Sequence, residues 1–213
     1  MKPGLFVSFE GIEGCGKTTQ IALLAERLET EGTPVLVTRE PGGTRVGDGI
    51  RQIVLDSKTV DLTAEAELLL FYASRRQNIA EKILPALARG DVVISDRFYD
   101  ASMAYQGFGR GLSTELISRL TDLVCRQTRP DVTILLDIDP GTGLSRARRR
   151  NAVRGSREGR FEDEDPAFYE RVRAGYLELA SREPDRIRIV PAGGTVDAVA
   201  GRIHAVLDAV AAR

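Results

Sequence analysis

A chain of 213 residues with 42% hydrophobic and 29% charged side chains can bury a full core and is too balanced to be disordered. Its net charge of −1 excludes the global attraction that draws basic proteins to nucleic acid or membrane surfaces, so any basic site must be local. Cys15 and Cys125 form neither a disulfide framework nor a metal motif, and no apolar run has the length of a signal peptide or a membrane span. The expected location is therefore the cytoplasm.

In chain order, Leu5 to Phe9 reads as a buried strand. It runs into Gly11-Ile12-Glu13-Gly14-Cys15-Gly16-Lys17-Thr18, which fits G-x-x-x-x-G-K-[ST], and a helical pattern begins at Thr19. Glycines let such a loop curl so that its N–H groups surround phosphate oxygens, and the following helix adds its positive end. Lys17 is then placed for the β- and γ-phosphates and the Thr18 hydroxyl for Mg²⁺. Only four of the 30 basic residues are lysines, and one of them holds this position. Within the loop, Cys15 reads as a small filler rather than an activated thiol. Cys125 reads as core.

The first helix ends near Gly32, and a short strand, 35–38, runs into Arg39-Glu40-Pro41-Gly42-Gly43-Thr44. Turn residues at a strand's carboxyl end are where open parallel sheets hold ligands, which makes Arg39 a candidate anion ligand. A short helix is expected over 47–56 and a long one over 64–89, closed by Gly90. Phe71 and Arg75 share a face of that helix. Spacing alone favours core packing with a solvated charge, and the alternative is a ring and guanidinium that read a base.

A third strand, 92–95, delivers Asp96 and Arg97, suited to a Mg²⁺ contact and a phosphate contact respectively. Residues 102–107, including Ser102, Tyr105 and Gln106, either read a base and sugar or pack a loop. A helix over 113–127 and a fourth strand over 132–137 follow. Between 146 and 160 stand seven arginines and one acid, Glu158, a run best explained in a triphosphate-binding protein as a lid. A helix over 166–182, a strand over 187–190 and a helix over 196–211 complete the chain. The one histidine, His204, is remote from the loop and reads as structural. Alternation of apolar strands with helices indicates an α/β fold in one domain: five parallel strands covered on both faces.

The loop by itself does not separate an ATPase, a GTPase and a kinase. Neither asparagine, Asn78 or Asn151, is followed by Lys, so the guanine-reading Asn-Lys-x-Asp element is missing. A small kinase fits the length and needs an acceptor site opposite the donor phosphates, where Arg39, Arg97 and 102–107 fall. A nucleotide-binding module whose arginines hold nucleic acid leaves Arg39, Phe71 and Gln106 unexplained.

Over nearly its full length the chain resembles the bacterial thymidylate kinases, in the nucleoside-monophosphate kinase group of P-loop proteins. The resemblance rests on FEGIEGCGKTTQ (9–20), TREPGGT (38–44), LLLFYASRRQ (68–77), SDRFYDAS (95–102), AYQG (104–107), LDIDPGTGLSRA (136–147) and YLELA (176–180). It implies the three-layer P-loop kinase fold, γ-phosphoryl transfer from Mg·ATP to dTMP, a homodimer, and no nucleic-acid or membrane partner. It also implies roles. Residues 11–19 and Arg146 hold ATP, with the loop 192–195 on the adenine side. Thr18 and Asp96 serve Mg²⁺. Glu13 meets the sugar 3′-hydroxyl, and Arg39 and Arg97, helped by Arg51, meet the acceptor phosphate. Phe71 stacks on thymine. Arg75, Gln106 and Ser102 read its edge, while Tyr105 leaves no room for a 2′-hydroxyl. The attacking phosphate oxygen is already ionised, so positioning and charge suffice without a strong base. Because position 14 is Gly rather than basic, the cation on the transferred group is expected from the lid. Arg160 is the candidate, with Arg154 and Arg157 as alternatives, since Gly159-Arg160-Phe161-Glu162 departs from the family's usual Asp-Arg-(Ile/Leu)-Glu.

Overall fold

The computed structural model describes residues 4–59, 61–154 and 159–211. The strands are β1 (Phe6–Glu10), β2 (Val35–Arg39), β3 (Val92–Asp96), β4 (Val132–Asp137) and β5 (Ile187–Pro191). All pair in parallel, in the order β2-β3-β1-β4-β5. β1 is buried along its whole length, as a central strand with helices on both faces must be. Its neighbours β3 and β4 bring Asp96 and Asp137 to the carboxyl edge beside the phosphate loop, where doubly wound sheets bind ligands.

The helices are α1 (Lys17–Thr30), α2 (Arg45–Leu55), α3 (Ala64–Asn78), α4 (Leu84–Arg89), α5 (Tyr99–Ser102), α6 (Thr114–Cys125), α7 (Pro140–Arg154), α8 (Pro166–Arg182) and α9 (Val196–Ala211). Several open on a side-chain cap: Thr44 for α2, Thr63 for α3, Ser113 for α6 and Asp165 for α8. In α1 the capping position is Gly16, with no side-chain bond and no acid in the first turn, so its N–H groups stay free for an anion.

Two stretches differ from the sequence expectation. The run 64–89 is not one α-helix. A π-helical turn, Ile79–Ile83, joins α3 to α4 just before Pro85, whose ring and missing N–H disrupt the regular ladder. Gly90, at φ 87°, ends it as expected. Residues 103–109 form a second π-helical segment rather than a loop, continuous with α5. It lies so close to α8 that a β-carbon on Gly109 would come within 2.7 Å of Phe168. The helix after β4, α7, carries the first five arginines of the 146–160 run and ends at Arg154. Cys125 is core, and burial pushes its thiol up to about 12.

Candidate active site

A crevice of about 560 Å³ opens along the carboxyl edge of the sheet, between the phosphate loop, α3, the 103–109 segment and α7. One end is the phosphate loop. Gly14 takes φ +71°, and a β-carbon there would lie 2.0 Å from the Gly143 carbonyl oxygen, so the loop and the start of α7 fit together only through glycine. Lys17 Nζ donates to the carbonyls of Gly11 (2.9 Å) and Ile12 (3.1 Å) and contacts Cys15 Sγ at 3.5 Å. Cys15 itself is buried and off the crevice wall, as are Gly11 and Ile12. The Thr18 hydroxyl stands 3.5 Å from Asp96 Oδ2. Arg146 and Arg150 of α7 line the same end, whereas 192–195 stays off the wall, with Ala192 N donating to the Asp137 carbonyl.

Arg97 occupies the centre. Its φ of 73° lies in the left-handed region, uncommon for a large side chain. Its Nη2 donates to Glu13 Oε1 (2.8 Å) and the Tyr105 hydroxyl (3.1 Å), and Tyr105 donates to Glu13 Oε2 at 2.5 Å. Its Nη1 donates to the Gly11 carbonyl (2.9 Å) and the Tyr176 hydroxyl (3.1 Å). Arg39 sits exposed at the rim, 3.2 Å from Asp48, and Arg51 Nη1 donates to the Pro41 carbonyl at 3.0 Å.

The far end is apolar, with polar groups set in its wall. Phe71 faces Phe161 at 6.3 Å between centroids. Arg75 is not the solvated charge that spacing favoured. It is 1% exposed, with Nε 2.6 Å from Glu40 Oε2 and further bonds to Ser102 Oγ and the Phe98 carbonyl, both 3.1 Å. Burial raises the Glu40 carboxyl while Arg75 pulls it down. Glu67, fully buried, accepts from Gln106 Nε2 (2.8 Å), Arg110 Nη2 (3.2 Å) and Arg160 Nη1 (2.6 Å). Arg160 also donates to the carbonyls of Val54 and Thr59. Arg157 and the side chain of Arg154 lie outside the described residues. Glu162 is tied to α7, where Arg150 and Asn151 both reach its carboxylate.

Thus Glu13, Lys17, Thr18, Thr19, Arg39, Arg51, Phe71, Arg75, Asp96, Arg97, Ser102, Tyr105, Gln106, Arg146 and Arg160 share one crevice wall with Gly14 and Gly16. Sequence reasoning missed Glu10, Glu40, Glu67, Glu162 and Tyr176, and counted Arg150 only within the arginine run. The only early sign of Glu10 was a charge at the end of an otherwise uncharged strand.

A model of the thymidylate kinase family matches residues 9–203 of this sequence. The chain belongs to that family. Curated relatives include the thymidylate kinases of Syntrophotalea carbinolica, 53% identical across 93% of this chain and 92% of that one, and of Trichlorobacter lovleyi, 51% identical across 98% of both. A crystal structure of thymidylate kinase from Ehrlichia chaffeensis superposes with a TM-score of 0.77 at 36% identity, covering 97% of this chain and 99% of the other. Membership carries the family's activity, the ATP-dependent phosphorylation of dTMP to dTDP. The chain is an enzyme, a thymidylate kinase with the family's α/β fold.

Proposed function

We propose that the crevice binds Mg·ATP at the phosphate loop and dTMP between Arg97 and Phe71, and that the whole chain works as one kinase domain with its lid over about 146–163. The observation that carries this reading is the convergence of Lys17, Arg97, Glu13 and Tyr105 with the buried polar groups Arg75 and Gln106 on a single crevice. Of residues 11–19, Glu13, Gly14 and 16–19 line the donor end and with Arg146 hold the donor, while the buried Gly11, Ile12 and Cys15 support the loop from behind. Lys17 and Arg97 offset the repulsion between two anions brought to in-line distance. Glu13 receives the sugar hydroxyl, Tyr105 closes the space a ribose would need, and Arg39 and Arg51 add charge at the acceptor phosphate. Phe71 stacks on the base, whose edge Arg75, Ser102 and Gln106 read.

Mg²⁺ fits the donors present. Thr18 and Asp96 offer a hydroxyl and a carboxylate, both hard oxygen ligands, beside where the phosphates lie, and Mg²⁺ commonly takes one or two protein oxygens with substrate phosphates and water. Bound there, the ion would neutralise charge on the donor phosphates.

Arg160's three oxygen partners favour a holding role, pinning the end of the lid to α3, over contact with the transferred phosphoryl group. In that arrangement Arg146 and Arg150, the other described lid arginines on the crevice wall, are the candidates for the donor phosphates. Homodimer formation is proposed from the family likeness. The exposed Leu69 of α3 and Leu116 and Leu123 of α6, on helices packed together, give it an apolar surface. Free, buried cysteines suit a reducing cytoplasm, and no helix among the described residues is long and apolar enough to cross a membrane.

The test is steady-state kinetics of Phe71→Ala and Gln106→Ala beside Thr18→Ala. The first two should raise KM for dTMP and leave KM for ATP in place. The third should raise the Mg²⁺ concentration needed for ADP release. Equal effects of all three on both substrates would overturn the partition.

A further inference from the structure

We infer that Glu10 and Tyr176, neither of which lines the crevice, are positioning residues that aim Arg97 at the acceptor phosphate. The inference rests on the reading of Arg97 as a ligand of that phosphate.

Arg97 presents two amino groups with different neighbours. The partners of Nη2, Glu13 and Tyr105, line the crevice and can be exchanged for an incoming anion. The partners of Nη1 are the Gly11 carbonyl and the Tyr176 hydroxyl, which stay behind the wall. One side of the guanidinium is thus anchored while the other faces the ligand.

The anchor leads to a single carboxylate. Tyr176 of α8, 2% exposed, accepts from Arg97 and donates to Glu10 Oε2 at 2.7 Å. The other oxygen of Glu10 accepts from the backbone N–H of Phe98 at 2.7 Å and from Ser8 Oγ at 3.2 Å. Glu10 therefore grips the residue after Arg97 directly and the Arg97 side chain through one phenol. Between those grips the backbone holds φ 73°, a conformation that a β-carbon disfavours and that persists only where the surroundings over-determine it. Glu10 is fully buried at the end of β1, immediately before the loop, so the same strand sets the donor site and the acceptor cation. Burial keeps the Tyr176 phenol protonated, as the relay requires.

Tyr176→Phe keeps the ring and its edge-on packing with Tyr105 while deleting the hydroxyl. It is measured alone, with Arg97→Lys, and as the double variant. Loss of one hydrogen bond to a charged group should lower kcat/KM for dTMP about tenfold and leave KM for ATP unchanged. In the Arg97→Lys background, where the planar fork is gone, the same change should have little further effect. Effects that multiply would show Tyr176 acting independently of Arg97 and overturn the inference. If Arg97→Lys alone leaves dTMP kinetics unchanged, the reading of Arg97 itself is wrong. Should Tyr176→Phe fold poorly, Glu10→Gln takes its place in the same cycle, with the same outcomes deciding.

Discussion

Replacing Glu40 with glutamine leaves a guanidinium without its counter-charge in a site where both partners are at most 2% exposed. Removing one member of a buried pair ordinarily costs about 3–5 kcal/mol, because the survivor stays charged and desolvated. Two features place this case at the lower end. Arg75 keeps Ser102 Oγ and the Phe98 carbonyl, and it lies over the rings of Tyr72 at 4.7 Å and Phe98 at 5.5 Å. Glu40 is itself penalised by burial, a penalty the neutral amide escapes. The expected loss is about 3 kcal/mol, read as a lower urea midpoint at unchanged slope. A loss below about 1 kcal/mol, the range of a solvated surface pair, would refute the account of Arg75 as a buried, fixed cation. The double variant Glu40→Met/Arg75→Met should recover stability, since apolar replacement of a buried pair is often neutral. It should at the same time lose preference for dTMP over dCMP if, as proposed, Arg75 meets the base edge.

Burial, with the Asp100 charge adding to it, pushes the Glu10 carboxyl up to about 7 against the pull of Arg97, Tyr176 and the Phe98 N–H. A carboxyl raised on folding favours the fold below its unfolded value of 4.5, and that contribution is lost as pH rises through about 7. Glu10→Gln should therefore gain on the parent chain by about 3 kcal/mol between pH 4.5 and 8, and a pH-independent difference in unfolding free energy would contradict this. Gly14→Ala must push a β-carbon into the Gly143 carbonyl, so displacement of the loop should cut kcat on the order of 10²-fold, with the defect absent if the two segments are not in register. Glu67→Gln removes the charge shared by Arg110 and Arg160 and loosens Gln106, and it should raise KM for dTMP more than KM for ATP. A selective rise in KM for ATP would instead place Arg160 at the donor phosphates.

The strands were legible because parallel strands buried on both faces read as continuous apolar runs. The helices 166–182 and 196–211 were read to their ends because Asp165-Pro166 and Thr195 punctuate their starts. The break at Ile79–Ile83 was not, since the apolar pattern passes through it and only Pro85 marks it. The polar groups of 102–107 left a base-reading stretch or a packed loop open, whereas the segment is π-helical and Gly109 lets it lie against Phe168. At the site, residues assigned to ligand by motif were visible, and residues that hold them were not. Arg75 looked solvated because its partner Glu40 is 35 positions away, and Glu67 drew no notice because Arg160 is 93 positions away. Such pairings exist only once the sheet has brought the segments together.

ADP release from Mg·ATP, followed in parallel with dTMP, dUMP, dCMP, dGMP, AMP and the ribose form of TMP, tests the central claim most directly. The account predicts rapid turnover with dTMP, sharply less with dCMP and with the ribose form, and none with AMP. Comparable turnover of the ribose form would remove Tyr105 from sugar selection, and comparable turnover of AMP or dGMP would contradict the assignment of Phe71, Arg75 and Gln106 to thymine.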